Sequence, residues 1–261
     1  MSSGVWQPHT SSVQFCEPDY QLTPYLAEPF NAISSLCISW FGIVGLLYGN
    51  PTKEWPFLLM NLIIIFIGLG SFALHATLHW LPQSFDEVPM LWYSLTGLYT
   101  LSHIQNSKSQ YSFDYTVLLY VISTVGVTAF YYSKRDFFLI FATIFTSVTV
   151  AVSVWDGYIV WTSPRDSLLM SVWSAAVFVY FGVASMVWLV DMQLCDWLLP
   201  IYQQGYGFTI HVLWHLLAGL GAHLLLMTMV IIRSRTLKLP IRMSWRGGIP
   251  IIVVTTKDKS Q

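Results

Sequence analysis

The chain has 261 residues, of which 55% are hydrophobic, 16% are aromatic and only 10% are charged. Soluble domains carry about 25% charged residues, so this composition excludes an ordinary soluble domain and indicates a polytopic membrane protein. The formal net charge of −1 gives no reason to expect a nucleic-acid partner.

The first 31 residues form a polar arm that contains no Lys or Arg. Within the arm, Glu17, Asp19 and Glu28 cluster with the side-chain amide of Gln14. Hard oxygen ligands of this kind suit Ca²⁺. The spacing of an EF-hand is missing, however, and composition alone favours a solvated acidic loop.

Seven apolar segments of bilayer-spanning length follow the arm. In chain order they cover residues 32–49, 55–79, 88–104, 115–132, 137–155, 168–190 and 209–232. Backbone polar groups inside a bilayer must be hydrogen-bonded internally, and no run of the sequence alternates as barrel strands do. We therefore predict an all-α membrane protein with seven transmembrane helices over residues 32–232 and a polar tail over residues 233–261.

The basic residues predict the orientation of these helices. With a lumenal N-terminus, ten of the twelve Lys and Arg residues lie in cytosolic loops or the tail, and only Lys134 and Arg135 are lumenal. The ten are Lys53, Lys108, Arg165, Arg233, Arg235, Lys238, Arg242, Arg246, Lys257 and Lys259. We expect a lumenal N-terminus and a cytosolic C-terminus.

Two of the three cysteines are lumenal in this topology, where disulfides persist. Cys16 lies in the arm, and Cys195 lies just after the sixth span. A Cys16–Cys195 bridge would fasten the arm over the lumenal end of the bundle, and two free thiols are the alternative.

Three histidines fall in apolar segments, where ionisable side chains are costly and indicate function. His75 lies near the end of the second span, and His211 and His215 begin the seventh. The i, i+4 spacing of His211 and His215 places both on one helical face. All three lie in one layer near the lumenal side, so they predict a zinc site with an open fourth position. For any one of these histidines alone, a hydrogen-bonded packing role is the alternative.

Two further polar residues belong to this layer. Ser71 precedes His75 by one helical turn, and Asp86 comes just before the third span. A zinc ion acidifies water and polarises a carbonyl. Asp86 is then the candidate that accepts a proton from water and delivers it to a leaving amine. The Ser71 hydroxyl is the candidate donor to the developing oxyanion.

These residues resemble the sequence pattern of the alkaline ceramidases, a family of seven-helix membrane amidases. Four stretches carry the resemblance and span nearly the whole chain in the family's order. They are Phe15-Cys-Glu-Pro-Asp-Tyr20 with Tyr25-Leu-Ala-Glu28-Pro-Phe-Asn31, Gly70-Ser71-x₃-His75 continuing to Asp86-Glu87-x-Pro89-Met90, Trp188-x₂-Asp191-x₃-Cys195, and His211-x₂-Trp214-His215-x₃-Gly219.

The resemblance implies a hydrolase acting on linear amides, which cuts ceramide, phytoceramide or dihydroceramide into a sphingoid base and a fatty acid. It implies residence in the endoplasmic reticulum or Golgi membrane and the Cys16–Cys195 disulfide. It also implies a structural calcium ion, which reverses the preference for a solvated loop. The implied ligands are His75, His211 and His215 for zinc, with Ser71 and Asp86 in the catalytic roles above, and Gln14, the Phe15 carbonyl, Glu17, Asp19 and Glu28 for calcium.

The chain departs from the family pattern in two places. Gln14 stands where an aspartate is usual and Asp19 where an asparagine is common, so the charge of the calcium set is kept. Leu213, Leu217 and Ala218 alter the usual seventh-helix motif, and we expect them to reshape the substrate pocket.

Two alternatives stay open. One is a related seven-helix hydrolase of the adiponectin-receptor or lipid-anchor-remodelling type. The other is a heptahelical receptor or a metal transporter. The acidic arm with Cys16 and the lumenal N-terminus favour a ceramidase.

Overall fold

The computed structural model describes residues 4–106, 115–133 and 138–255. The first part of the fold consists of α1 (Pro29–Tyr48), α2 (Trp55–Thr77) and α3 (Trp80–His103). Proline occupies the first turn of α1 and of α2, where its missing N–H costs no hydrogen bond. α1 packs along α2, and α2 packs along α3. Because only two residues join α2 to α3, the end of α2 and the start of α3 lie together.

The second part of the fold begins with α4 (Tyr115–Tyr132) and α5 (Phe138–Thr162). A longer helix without a break follows them from residue 167 to residue 193. This helix is divided into α6 (Ser167–Val177), a π-helical segment (Phe178–Ala184) and α7 (Ser185–Gln193). A short α8 (Cys195–Gln204) then leads to α9 (His211–Thr236). α9 packs against α1, α6 and the π-helical segment, which makes it the central helix of the bundle.

Six helices within the described ranges are long and apolar enough to cross a membrane: α1, α2, α4, α5, the run from α6 to α7, and α9. Each begins within three residues of a predicted span, and α5 continues to Thr162 rather than ending at 155. The predicted third span lies within α3, which begins earlier, at Trp80. α3 is less apolar because Gln83, Asp86 and Glu87 occupy its first turns. The seventh span and the orientation stay predictions, and Lys108, Lys134, Arg135, Lys257 and Lys259 lie outside the described residues.

The prediction of an all-α chain is wrong for the tail. α9 ends at Thr236 rather than at 232, and β1 (Ile241–Arg246) and β2 (Ile249–Val254) then pair as an antiparallel hairpin. The turn is Gly247-Gly248, with φ of 55° and 78°, a conformation that glycine adopts readily. β2 packs against α1 and α9. The tail as far as residue 255 therefore belongs to the folded domain.

The largest apolar core surrounds the second half of α9, where residues 223–234 are buried without interruption. Side chains of α2 such as Phe57 and Met60 pack into this core, as does Ile251 of β2. These contacts hold α9 on three sides. Its first turn is therefore presented in a fixed position beside the end of α2.

Candidate metal centre

The structure brings His75, His211 and His215 together, as predicted. His75 lies in the last turn of α2, and the other two occupy the first turns of α9. All three side chains are buried, and one ring nitrogen from each lies within 4.8 Å of the other two. Ring centroids are separated by 4.8 to 5.4 Å. This spacing fits three imidazoles around a single metal ion.

The outer ring nitrogens of two of these histidines have partners that fix their tautomers. The Nδ1 of His75 lies 2.6 Å from Oε2 of Glu28, so it donates to that carboxylate. The Nδ1 of His215 lies 2.7 Å from the Ser34 hydroxyl, which donates its own proton to the Asn31 carbonyl. Ser34 must therefore accept a hydrogen bond from the Nδ1–H of His215. Each Nε2 is left unprotonated, which is the state a metal ion requires.

His211 has a comparable but looser partner. Its Nδ1 lies 3.3 Å from Oδ2 of Asp191, with both side chains buried. Neither atom makes a hydrogen bond of good geometry to any other described residue. The other oxygen of Asp191 accepts a hydrogen bond from the Tyr202 hydroxyl. Asp191 is therefore held in place beside His211, with one oxygen available to the imidazole.

Ser71 and Asp86 lie beside the histidine cluster. The Ser71 hydroxyl accepts a hydrogen bond from Ser35 at 3.1 Å and is in hydrogen-bonding range of the Asp86 carboxylate. Gly70 makes this proximity possible, because a Cβ there would lie 2.1 Å from the Phe85 carbonyl oxygen. The backbone of α3 therefore approaches α2 closely, which brings Asp86 beside Ser71.

An apolar cavity of about 320 Å³ opens directly onto this cluster. His75, His211, His215, Ser71 and Asp86 all line it. The rest of its wall is mostly aromatic and aliphatic, from α3, α5, the π-helical segment, α7 and α9. The polar layer thus forms one end of a long hydrophobic space.

The N-terminal arm covers the cluster. Its Phe15 ring lies 4.5 Å from the ring of His75 and 4.9 Å from that of His211. Cys16 forms a disulfide with Cys195, the first residue of α8, as predicted. The disulfide holds the arm in place, so Phe15 closes one side of the metal centre.

The predicted calcium ligands are arranged differently from the histidines. Glu17 accepts hydrogen bonds from the backbone N–H groups of Phe30 and Asn31, at 2.9 and 2.8 Å. Asp19 lies 3.5 Å from His9, and Gln14 is exposed. Among the described residues, the histidine cluster is the one group of three or more His, Cys, Asp or Glu side chains with converging ligand atoms.

The acidic arm nevertheless holds buried carboxyl groups and contains no Lys or Arg to balance them. Burial raises the pKa of Glu17 to about 7, with Asp19 and Asp191 adding to the effect and two backbone N–H groups opposing it. Burial also raises the pKa of Glu28 well above its usual value, and the neighbouring carboxylates raise it further. These carboxylates share a region without Lys or Arg. Their chemistry therefore fits a bound cation.

Sequence reasoning missed the partners that orient the imidazoles. The sequence pattern assigns Glu28 to calcium alone, includes Asp191 only as part of a motif and gives no signal for Ser34. A ligating histidine almost always donates its second N–H to an acceptor. That rule indicates that such partners exist, but the partner of His215 lies 181 residues away in the chain.

Together these features describe an integral membrane protein with a candidate metal centre at the end of an apolar cavity. The sequence profile of the ceramidase family matches residues 7–253. The chain therefore belongs to the ceramidase family.

Three curated relatives can be aligned with this chain over most of their length. Alkaline ceramidase 3 of Mus musculus is 24% identical over 259 residues, which cover 94% of this chain and 92% of the relative. The putative alkaline ceramidase dcd3A of Dictyostelium discoideum is 27% identical, covering 85% of this chain and 86% of the relative. Alkaline ceramidase YPC1 of Saccharomyces cerevisiae is 24% identical, covering 90% and 80%. All three bear the name of a hydrolase.

Proposed function

We propose that the protein is a zinc-dependent intramembrane amidase that hydrolyses ceramide-type lipids to a sphingoid base and a free fatty acid. One observation carries the proposal. Three buried imidazoles converge at the end of an apolar cavity, and the orientation of at least two leaves Nε2 free for a metal ion. Membership of the ceramidase family supports the amide as the bond that is cut.

The zinc ion would be held by His75, His211 and His215. When bound, it would act as a Lewis acid that acidifies water and polarises the amide carbonyl. Asp86 takes a proton from the attacking water as the new C–O bond forms. It then returns a proton to the amine as the C–N bond breaks. The Ser71 hydroxyl donates a hydrogen bond to the carbonyl oxygen as negative charge develops there.

The cavity supports a lipid substrate that arrives from the bilayer. Thr146 of α5 and Leu189 of α7 line the cavity, and both are exposed on the outer face of the helices. The space therefore reaches the surface between α5 and α7. A long-chain lipid enters there with its chains in apolar surroundings, and its amide reaches the polar end.

We further propose seven membrane spans, with α3 as the additional one, in the endoplasmic reticulum or Golgi membrane. The arm (1–31) is lumenal, the helices (32–232) form the catalytic domain, and the tail (233–261) is cytosolic. Among the described residues, the basic side chains outside the spans are Lys53, Arg165 and those from Arg233 onward. All of them fall on the side opposite to the arm, which supports this orientation.

We also propose that Gln14, the Phe15 carbonyl, Glu17, Asp19 and Glu28 hold a calcium ion. The crowded carboxylates described above support a cation there. Glu28 contacts His75 directly, so an ion in the arm would also position a zinc ligand. The calcium site would then support the zinc site without contacting substrate.

The decisive experiment incubates the purified full-length protein with a ceramide that carries a labelled acyl chain. We expect release of the labelled fatty acid, loss of release after zinc chelation, and recovery when zinc is returned. The His215→Ala variant should lose zinc and at least a thousandfold in rate. The matched control is His79→Ala, since His79 contacts the Trp6 carbonyl and lies outside the cluster. If the protein binds zinc but releases no fatty acid from any ceramide, it is a binding protein and not an amidase.

Elemental analysis should find one zinc and one calcium per chain. The Asp19→Ala variant should lose calcium and keep zinc, because Asp19 does not touch a histidine of the cluster. This variant separates the two sites, which Glu28→Ala cannot do. Unchanged calcium content in Asp19→Ala would remove the arm site from the proposal.

A further inference from the structure

One buried hydroxyl on the cavity wall has no hydrogen-bond partner among the described residues. Tyr180 lies in the π-helical segment, lines the cavity and is only 8% exposed. Its hydroxyl makes no hydrogen bond to a described residue, and it is not among the unpaired atoms sealed inside the protein. It is therefore open to the cavity. Neighbouring Tyr93, in contrast, donates to the Ala222 carbonyl at 2.8 Å.

Two features of the fold place Tyr180 close to α9: the π-helical segment that carries it and a glycine on α9 that faces it. π-Helical turns are rare and occur frequently at functional sites. On α9, a Cβ at Gly221 would lie 2.7 Å from the Cβ of Tyr180, so only glycine allows the ring to approach this closely. The Tyr180 ring also lies 6.3 Å from that of Trp214, the neighbour of His215. Gly221 is six residues beyond His215, about 9 Å along the helix axis.

A phenol at this position is unfavourable beside plain hydrocarbon. An unpaired hydroxyl in a water-excluding site costs roughly 1–3 kcal/mol, whereas phenylalanine would carry no such cost. A ligand that brings its own hydroxyl removes the penalty. Because sites built to hydrogen-bond a substrate hydroxyl discriminate against analogues that lack it, this geometry indicates selectivity.

We propose that Tyr180 is a specificity-determining residue, whose hydroxyl binds a chain hydroxyl of the substrate close to the scissile amide. The proposal rests on the proposed function and narrows its substrate class to ceramides with a hydroxyl beyond the two that every ceramide carries on carbons 1 and 3 of its base. Such a hydroxyl is carried either on carbon 4 of the sphingoid base or on carbon 2 of the acyl chain. Both positions are a few bonds from the amide.

The test compares three ceramides of equal chain length with the full-length enzyme. One has neither hydroxyl, one has the 4-hydroxyl on its base, and one has the 2-hydroxyl on its acyl chain. We expect kcat/KM to be about tenfold higher for one of the hydroxylated substrates than for the plain one, the worth of one hydrogen bond. Tyr180→Phe should abolish that preference, because phenylalanine neither binds the additional hydroxyl nor leaves an unpaired hydroxyl against the plain substrate.

Tyr93→Phe is the matched control, because its hydroxyl is already paired within the protein. It should keep the preference, whatever it does to the overall rate. Equal loss on all three substrates in Tyr180→Phe would show a structural role and overturn the proposal. Absence of any preference in the unmodified enzyme would overturn it as well.

A binding measurement separates this proposal from the proposed function. After zinc chelation the ceramides are not cut, and the shift in the unfolding midpoint reports their binding. The hydroxylated ceramide should stabilise the chelated protein more than the plain one, and Tyr180→Phe should remove the difference. If the hydroxylated ceramide binds selectively but is not hydrolysed after zinc is restored, the proposed amidase function is wrong and the role of Tyr180 stands. If the three ceramides are hydrolysed but bind equally well, the role of Tyr180 is wrong and the proposed amidase function stands.

Discussion

The two ends of α9 hold their buried ionisable side chains in opposite ways. Its first turns carry His211 and His215, which face an open cavity and rely on acceptors from distant parts of the chain. Near its other end, Arg233 pairs with Glu54 through two hydrogen bonds of 2.8 and 2.6 Å. The same guanidinium donates to the carbonyls of Ile104 and Asn106. The hydrogen bonds and the charge of Arg233 are satisfied within the protein. The histidines at the other end leave ring nitrogens open to the cavity.

This difference separates a part of the molecule that depends on ions from a part that does not. The carboxylates around the histidines have no Lys or Arg in the arm to balance them. Removing metal should therefore loosen the arm and the first turns of α9. The end held by Arg233 should stay folded, because its charges already compensate one another.

Breaking the Arg233 pair should have the largest effect on stability. Arg233→Ala leaves Glu54 buried without its partner, which typically costs 3–5 kcal/mol in the free energy of unfolding. Thermal or denaturant unfolding of the purified protein measures the loss. Zinc content, measured on the fraction that remains folded, should be unchanged, since the histidine cluster lies at the far end of α9.

Arg235→Ala is the control for that prediction. Arg235 pairs with Asp166 at 2.8 Å, but its side chain is 46% exposed. An exposed pair of this kind contributes about 0–1 kcal/mol. Equal losses in the two variants would mean that burial does not distinguish the two ion pairs, and the comparison of the two ends of α9 would fail.

The sequence predicted those features that depend on local spacing. The i, i+4 histidines, the position of His75 and the starts of six helices follow from apolar runs and helical periodicity. The disulfide also followed, because the topology put both cysteines on one side. The acceptors Glu28, Ser34 and Asp191 could not be assigned, since each meets its histidine only through tertiary packing.

The hairpin was missed although a local signal for it exists. Gly247-Gly248 stands between two apolar-rich stretches, which is typical of a two-residue β-turn. Two features of the sequence hid it. The basic residues of β1 favour the polar tail that we predict, and Pro250 is unusual within a strand. The Nε2 of His223 in α9 donates to the Pro250 carbonyl at 2.8 Å, which ties β2 to α9.

A smaller effect should distinguish the acceptors of the histidines. Asp191→Asn replaces a charged acceptor of His211, and such changes typically lower metal affinity 10–100-fold. Ser34→Ala removes a neutral acceptor of His215, so the expected loss is less than tenfold. Zinc titration of the chelated protein measures both. Equal losses would show that the charge of the acceptor is unimportant at this centre.

The smallest effect is expected for the same substitution at Asp156. Like Asp191, Asp156 is 0% exposed, but both of its oxygens lack a partner among the described residues. A buried carboxylate without a partner is expected to be uncharged, because an isolated charge in the interior is far more costly. Asparagine is a neutral side chain of the same shape. Asp156→Asn should therefore change neither zinc affinity nor, by more than about 1 kcal/mol, the free energy of unfolding. A loss of several kcal/mol would reveal a charged Asp156 with a bound ion, and this part of the bundle would then depend on ions as the histidine end does.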